Sequence, residues 1–110
     1  MGQRLSQDCG ACWDPEETAR IIRRKKQQKQ AIQKYSDLFQ EAEEAVNAGE
    51  RNWVAEVVGR IHEQDDAVNR KDATFQKELR ERDSWDDVLQ KRRKIALLLA
   101  KGAFSDLGFE

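Results

Sequence analysis

Proline and glycine, the residues that most often interrupt helices, are scarce in this chain. One proline and six glycines occur among 110 residues, while Glu, Gln, Lys, Arg and Ala are abundant. The abundant residue types have high helix propensity. The composition therefore predicts an all-α protein with long helices.

Long hydrophobic segments are also missing. The longest apolar run, residues 95–100, covers six residues, whereas a membrane-spanning helix needs roughly 20. The start of the chain lacks the charged and then apolar pattern of a secretory signal peptide. Its two cysteines, Cys9 and Cys12, are too close together to form the framework of a secreted fold. We therefore expect a cytoplasmic setting, with peripheral membrane association as the alternative.

An excess of one charge sign is absent as well. Charged residues make up 37% of the chain, yet 20 basic and 21 acidic residues leave a net charge of −1. Disordered segments of this charge density usually carry a net sign and few large apolar residues. We expect a single small domain, with a flexible segment over residues 1–13, a helical body over 14–101 and a tail over 102–110.

A first helix is predicted from Pro15 to Ala48. Asp14 suits the N-cap, Pro15 suits the first helical position, and Gly49 supplies the stop. Within this segment the seam residues alternate in spacing between four and three positions, which is the heptad pattern. They are Ile21, Ile32, Tyr35, Phe39, Ala42 and Val46, with Lys25 and Gln28 at polar positions.

A second helix is predicted from about Asn52 to about Arg82, with Asp65 and Asp72 in an otherwise apolar seam. If the two helices fold back at Gly49, residues whose numbers sum to about 100 face each other. A carboxylate in a seam is costly without a partner. In this register the apolar positions meet and the polar ones meet too. The pairs are Val46 with Val54, Ala42 with Val58, Phe39 with Ile61, Ile32 with Val68, Tyr35 with Asp65, and Gln28 with Asp72.

The fold class predicted from these patterns is an antiparallel helical hairpin, similar to a coiled coil, with a third, shorter C-terminal helix. That third helix is expected from Ser84 to Lys101, before Gly102. Apolar residues beyond those that a two-helix seam can cover are typical of a partner-binding surface. We interpret five of them in this way: Leu97, Leu98, Phe104, Leu107 and Phe109.

The first six residues, MGQRLS, fit the N-myristoylation pattern, with Gly2 as the acceptor once the methionine is removed. Cys9 and Cys12 follow closely, and palmitoylation of either would add the second signal that stable anchoring needs. This combination resembles the dual-acylated N-termini of eukaryotic signalling proteins and viral matrix proteins. The resemblance covers some twelve residues.

The first helix also carries a basic run without an acidic residue in it. Such a stripe binds phosphates of nucleic acids or anionic lipid headgroups, or it is simply a solvated face. No aromatic residue alternates with the basic ones, which argues against stacking on single-stranded nucleic acid. The residues that we predict to bind anions are Arg20, Arg23, Arg24, Lys26 and Lys29, whereas Lys25 is assigned to the seam.

Catalytic motifs are absent from the sequence. It has one histidine, His62, and no glycine-rich phosphate loop or nucleophile elbow. Cys9 and Cys12 form a Cys-x-x-Cys pair, but a zinc site needs two further ligands unless a second chain supplies them.

The leading hypothesis is therefore a non-enzymatic helical protein–protein interaction module without a cofactor, tethered to an anionic membrane if its N-terminus is acylated. A nucleic-acid-binding or virion component and a zinc or redox protein are the alternatives, and a homo-oligomer is compatible with all three.

Overall fold

The computed structural model describes residues 14–108, and all regular structure in that range is helical. Four α-helices follow one another: α1 spans Pro15–Ala48, α2 Arg51–Asn69, α3 Ala73–Arg80 and α4 Asp83–Lys101. A short 3-10 turn, Ser105–Leu107, comes after α4. The predicted all-α fold, with a long helix pair and shorter C-terminal helices, is confirmed.

The two ends of α1 are those that the sequence predicts. The Glu16 amide donates a hydrogen bond to Asp14 Oδ1 at 2.9 Å, and Pro15 takes the first helical position. At the other end, Gly49 has a φ of 71°, and its amide donates to the Val46 carbonyl at 3.0 Å. Because a Cβ disfavours this left-handed conformation, glycine ends α1 and turns the chain back towards α2.

Helices α1 and α2 pack antiparallel around Gly49 in the predicted register. The Tyr35 hydroxyl donates to Asp65 Oδ1 at 2.5 Å, which confirms one of the polar pairs. Every apolar seam position of the two predicted helices is buried or half-buried. Phe39 and Ile61, at the centre of the seam, are 1% and 0% exposed.

The second predicted helix is interrupted, so the expectation of one helix reaching Arg82 is wrong. Helix α2 ends at Asn69, and Asp72 begins α3 by accepting a hydrogen bond from the Phe75 amide at 2.9 Å. Asp72 thus acts as a helix cap and does not form the expected pair with Gln28. The apolar periodicity continues into α3, which is why the seam pattern alone did not reveal the break.

Helix α4 reverses direction and packs along α1, parallel to it. Near its start Trp85 meets the ring of Tyr35 edge to face at 5.9 Å between centroids, and further along Lys94 pairs with Glu43. The first part of α1 takes little part in this packing, since only two residues between positions 14 and 23 are even half-buried. The core therefore lies in the C-terminal half of α1, and the N-terminal end of α1 is largely exposed.

Candidate functional site

The outer side of α4 carries an open apolar groove. Residues 95–100 are all apolar, and one helix cannot turn six consecutive residues towards a single neighbour. Ile95 and Leu99 are 1% and 0% exposed, whereas Leu97 is 54% exposed. Leu98 is half-buried against the core. The groove, about 420 Å³ in volume, is called here the α4 groove and is lined by Gln90, Arg93, Lys94, Leu97, Leu98 and Lys101.

The rim of the α4 groove is basic. Lys94 Nζ lies 3.1 Å from Glu43 Oε2, so its charge is partly neutralised. Arg93 and Lys101 are exposed, and neither takes part in an ion pair within residues 14–108. No carboxylate lines the groove. Its surface is therefore complementary to an apolar side chain flanked by acidic groups.

The residues after α4 lie against the end of the helix bundle. Phe104 and Leu107 are half-buried and pack against the core. Between them, Asp106 accepts a hydrogen bond from Arg51 of α2, with Nη1 3.3 Å from Oδ1. This bond raises the pKa of Arg51 and lowers the pKa of the Asp106 carboxyl. Two of the predicted partner-binding residues thus cover their own chain, and Phe109 lies outside the described residues.

A basic face lies on α1 near its N-terminal end. Ile22 stands within it and is 62% exposed, and residues three, four and seven positions later share its side of the helix. No acidic residue occurs between positions 17 and 37. The face, called here the α1 basic face, consists of Ile22 and four exposed cations, Arg23, Lys25, Lys26 and Lys29.

Two of the predicted anion-binding residues bind carboxylates of the protein itself. Exposed Arg20 lies 3.7 Å from Glu16. Arg24 donates from Nε and Nη2 to the two carboxylate oxygens of Glu78, at 2.8 and 3.2 Å. These bonds raise the pKa of Arg24 and lower the pKa of the Glu78 carboxyl. The placement of Lys25 in the seam is therefore wrong, because α3 packs on the Arg24 side of α1 and leaves Lys25 exposed.

Buried Gln28 connects α1 to α3 and to Arg82, the residue just before α4. Its Nε2 donates to the Phe75 carbonyl at 3.4 Å and to Glu78 Oε1 at 3.1 Å, and its Oε1 accepts from Arg82 Nε at 3.2 Å. A buried amide is tolerated only when both ends are hydrogen-bonded, and Gln28 is 1% exposed. The sequence pointed to Gln28 as a polar seam residue, but nothing in it indicated Arg82 as the partner.

A second polar cluster lies further along the bundle, towards the Gly49 turn. Asp65 accepts hydrogen bonds from Tyr35 of α1 and from Arg92 of α4. The Arg92 guanidinium also lies 5.4 Å from the centroid of the Phe39 ring. Burial and the hydrogen bond to Asp65 both raise the pKa of the Tyr35 hydroxyl. The cluster holds α1, α2 and α4 together, which is a structural role.

The predicted lipidation residues, Gly2, Cys9 and Cys12, lie outside the described residues. Within positions 14–108, no three or more His, Cys, Asp and Glu side chains are grouped so as to hold a metal ion. None of the helices in that part of the chain is both long and apolar enough to span a bilayer. Comparisons with known protein families, with curated proteins and with solved structures found no match.

Proposed function

We propose that this protein is a non-enzymatic helical interaction module, serving as an adaptor, assembly factor or structural subunit. It binds a protein partner through the α4 groove. The observation that supports this is the 54% exposure of Leu97 above an apolar floor with a basic rim. Burying such a side chain is favourable, and an apolar centre with a polar rim is the usual anatomy of a protein interface.

The chemistry of the α4 groove favours an acidic amphipathic helix of the partner. Leu97 and Leu98 offer an apolar contact of the kind that helix-in-groove recognition uses. Arg93 and Lys101 are eight positions apart, hence roughly 12 Å along α4, and suit carboxylates about two turns apart on a bound helix. A second copy of α4 suits the groove poorly, because two basic rims would repel each other.

The substitution Leu97→Asp tests this proposal. It puts a carboxylate on the apolar surface of the α4 groove without disturbing the core, since Leu97 is largely exposed. Ala55→Asp is the matched control, because it adds the same charge at an exposed position of α2. Each variant is used for affinity capture from the native host, followed by quantitative mass spectrometry.

Three results together support the proposed function. A captured protein must be lost with Leu97→Asp, be retained with Ala55→Asp, and cross-link to α4 through an acidic amphipathic segment. If Leu97→Asp retains every protein that the native chain captures, the α4 groove is not the binding site.

We also infer that acylation of the N-terminus tethers this module to a membrane. The support is the motif around Gly2 and the nearness of Cys9 and Cys12, because stable anchoring takes two signals. In the native host, we expect the intact mass to show methionine loss and an added acyl chain. We expect the Gly2→Ala variant to be absent from the membrane fraction. An unmodified N-terminus in the native host excludes the tether.

A further inference from the structure

Several cations of the α1 basic face have no acidic partner in the part of the chain that the structure describes. Within residues 14–108, neither Arg23 nor Lys26 nor Lys29 takes part in an ion pair. This contrasts with Arg24, one position further round the helix, which Glu78 binds through both carboxylate oxygens. The unneutralised cations are therefore those on the exposed side.

An apolar side chain lies among these cations. Ile22 is 62% exposed, the highest value among the large apolar residues of the described part of the chain. Lys25, Lys26 and Lys29 follow it at the spacings that share one side of a helix. Cations around an exposed aliphatic side chain are typical of helices that lie at the surface of an anionic bilayer.

The charge of α1 changes sign along its exposed side. Beyond position 36 the exposed residues include Asp37 and Glu44. A negatively charged surface therefore attracts the N-terminal end of α1 and repels the end near the Gly49 turn. This polarity gives the molecule one favoured orientation on such a surface.

We propose that the α1 basic face binds an anionic membrane surface, with Ile22 entering the headgroup region and the four cations contacting lipid phosphates and carboxylates. This binding does not require acylation, and it uses a surface other than the α4 groove. It would supply the second signal that one acyl chain needs for stable anchoring. Residues 1–13 join α1 at Asp14, two turns before Ile22, so an acyl chain at Gly2 and the α1 basic face can reach the same bilayer.

A lipid surface fits the α1 basic face better than a nucleic acid does. Phosphates of both kinds bind Lys and Arg, but an exposed aliphatic side chain gains from entering a headgroup layer and gains little beside a phosphodiester backbone. No aromatic residue lies on this face for bases to stack on.

The experiment uses the full-length chain made in a bacterial host, where it carries no acyl group. Partition onto phosphatidylcholine vesicles is compared with partition onto vesicles that also contain phosphatidylserine, over a range of salt concentrations. We expect binding only to the anionic vesicles, weakening as salt is added. Equal binding to both kinds of vesicle, or to neither, contradicts the proposal.

Paired variants locate the surface. Lys26→Gln with Lys29→Gln removes two cations of the α1 basic face, and we expect the partition coefficient to fall roughly 25-fold, about fivefold for each cation. Arg51→Gln with Lys91→Gln changes the net charge equally at exposed positions of α2 and α4 that lie nearer the Gly49 turn, and we expect a change below about twofold, since distant surface charges are screened. An equal loss in both double variants means that net charge alone drives binding, and the proposal is wrong.

Ile22 is tested by two substitutions of the same position. We expect Ile22→Ser to lower partition roughly tenfold and Ile22→Leu to leave it near the native value, because only the first removes apolar area. A short duplex RNA is titrated in parallel. If the protein binds the RNA more tightly than it binds the anionic vesicles, and Lys26→Gln with Lys29→Gln abolishes the RNA binding, the α1 basic face is a nucleic-acid site and the membrane proposal is wrong.

Discussion

The Tyr35 hydroxyl is a single polar group in the middle of the hairpin seam. It donates to Asp65, which also accepts from Arg92, and the tyrosine is 2% exposed. A buried hydrogen bond to a charged group contributes about 2 kcal/mol, and its loss leaves Asp65 with one donor fewer. At the scale of single residues, this cluster and Gln28 are two of the places where the fold depends on polar atoms.

Tyr35→Phe removes that hydrogen bond, and we expect the free energy of unfolding at neutral pH to fall by about 2 kcal/mol. Because the folded protein raises the pKa of Tyr35, it favours the neutral phenol. That stabilisation is complete below the unfolded pKa of about 10 and is lost as the pH rises through the higher folded value. As the pH rises above about 10, the free energy of unfolding of the native protein should therefore fall more steeply than that of the Tyr35→Phe variant.

The chain has one tyrosine, so the ultraviolet absorbance of tyrosinate reports this group alone. Alkaline titration of the folded protein should show ionisation later than in the denatured protein. An ordinary tyrosine titration in the folded state would contradict the burial of the hydroxyl.

Gln28→Leu removes the amide that joins α1 to α3 and to Arg82. We expect a loss of about 2 kcal/mol in the free energy of unfolding, because the substitution leaves buried partners without a hydrogen bond. Gln30→Leu is the control, since Gln30 is exposed two positions away, and its effect should stay within about 0.5 kcal/mol. Denaturant unfolding of the two variants compares them directly, and equal effects would mean that the Gln28 hydrogen bonds contribute nothing.

Sequence reasoning found some of these residues because both partners lie in one heptad pattern. Tyr35 and Asp65 are polar positions on helices joined by a short turn, so their register follows from the position of Gly49. Arg82 was placed at the end of the second predicted helix and Arg92 in the third, and no short turn fixes how either of them docks on α1. Long arginine side chains also reach across several positions, so spacing does not show which carboxylate or amide they meet.

At the scale of the elements, the helix ends follow local rules that are legible in the sequence. Asp14, Pro15 and Gly49 set the limits of α1 as expected. The break between α2 and α3 was missed because Asp72 satisfied two descriptions, a polar seam residue and a helix cap. Its short side chain bonds more readily to a nearby backbone amide than across a seam, so the cap prevails.

Gly49→Ala and Gly59→Ala should have opposite effects. Nothing lies within 4 Å of an added Cβ at either position, but only Gly49 has a positive φ, of 71°. We expect Gly49→Ala to cost about 1 kcal/mol from backbone strain alone. Gly59→Ala, inside α2, should stabilise the protein by about 0.5–1 kcal/mol through helix propensity. Chemical denaturation measures both, and a destabilising Gly59→Ala would show that α2 is crowded there.

At the scale of the whole molecule, the two candidate surfaces lie far apart. Lys94 in the α4 groove pairs with Glu43, 21 positions beyond Ile22 on α1, hence roughly 30 Å along the helix axis. One end of the protein can therefore contact a membrane while the α4 groove stays accessible to a partner. The sequence predicted part of each surface, but it did not single out Ile22 and it assigned Lys25 to the seam. The separation of the two surfaces depends on α4 packing parallel to α1, which periodicity does not show.

Fluorescent labels at the α1 basic face and in the α4 groove would show this separation. In a background with Cys9→Ser and Cys12→Ser, an environment-sensitive dye is attached to Ala19→Cys, an exposed position one turn before Ile22, or to Leu97→Cys. With anionic vesicles, we expect the emission of the first to shift to the blue and that of the second to stay unchanged. Equal shifts at both positions would mean that the molecule lies flat on the bilayer.

The connection between α1 and α2 is only two residues long, Gly49 and Glu50. If residues 49 and 50 both took a right-handed helical conformation, residues 15–69 would form one straight rod whose exposed seam could be covered only by another rod. Gly49→Ala lowers the cost of that form relative to the turned one. Light scattering of this variant should therefore reveal domain-swapped dimers that accumulate with protein concentration. The absence of a Cβ at position 49 then does more than shape the turn, because it also keeps the two paired helices within one chain.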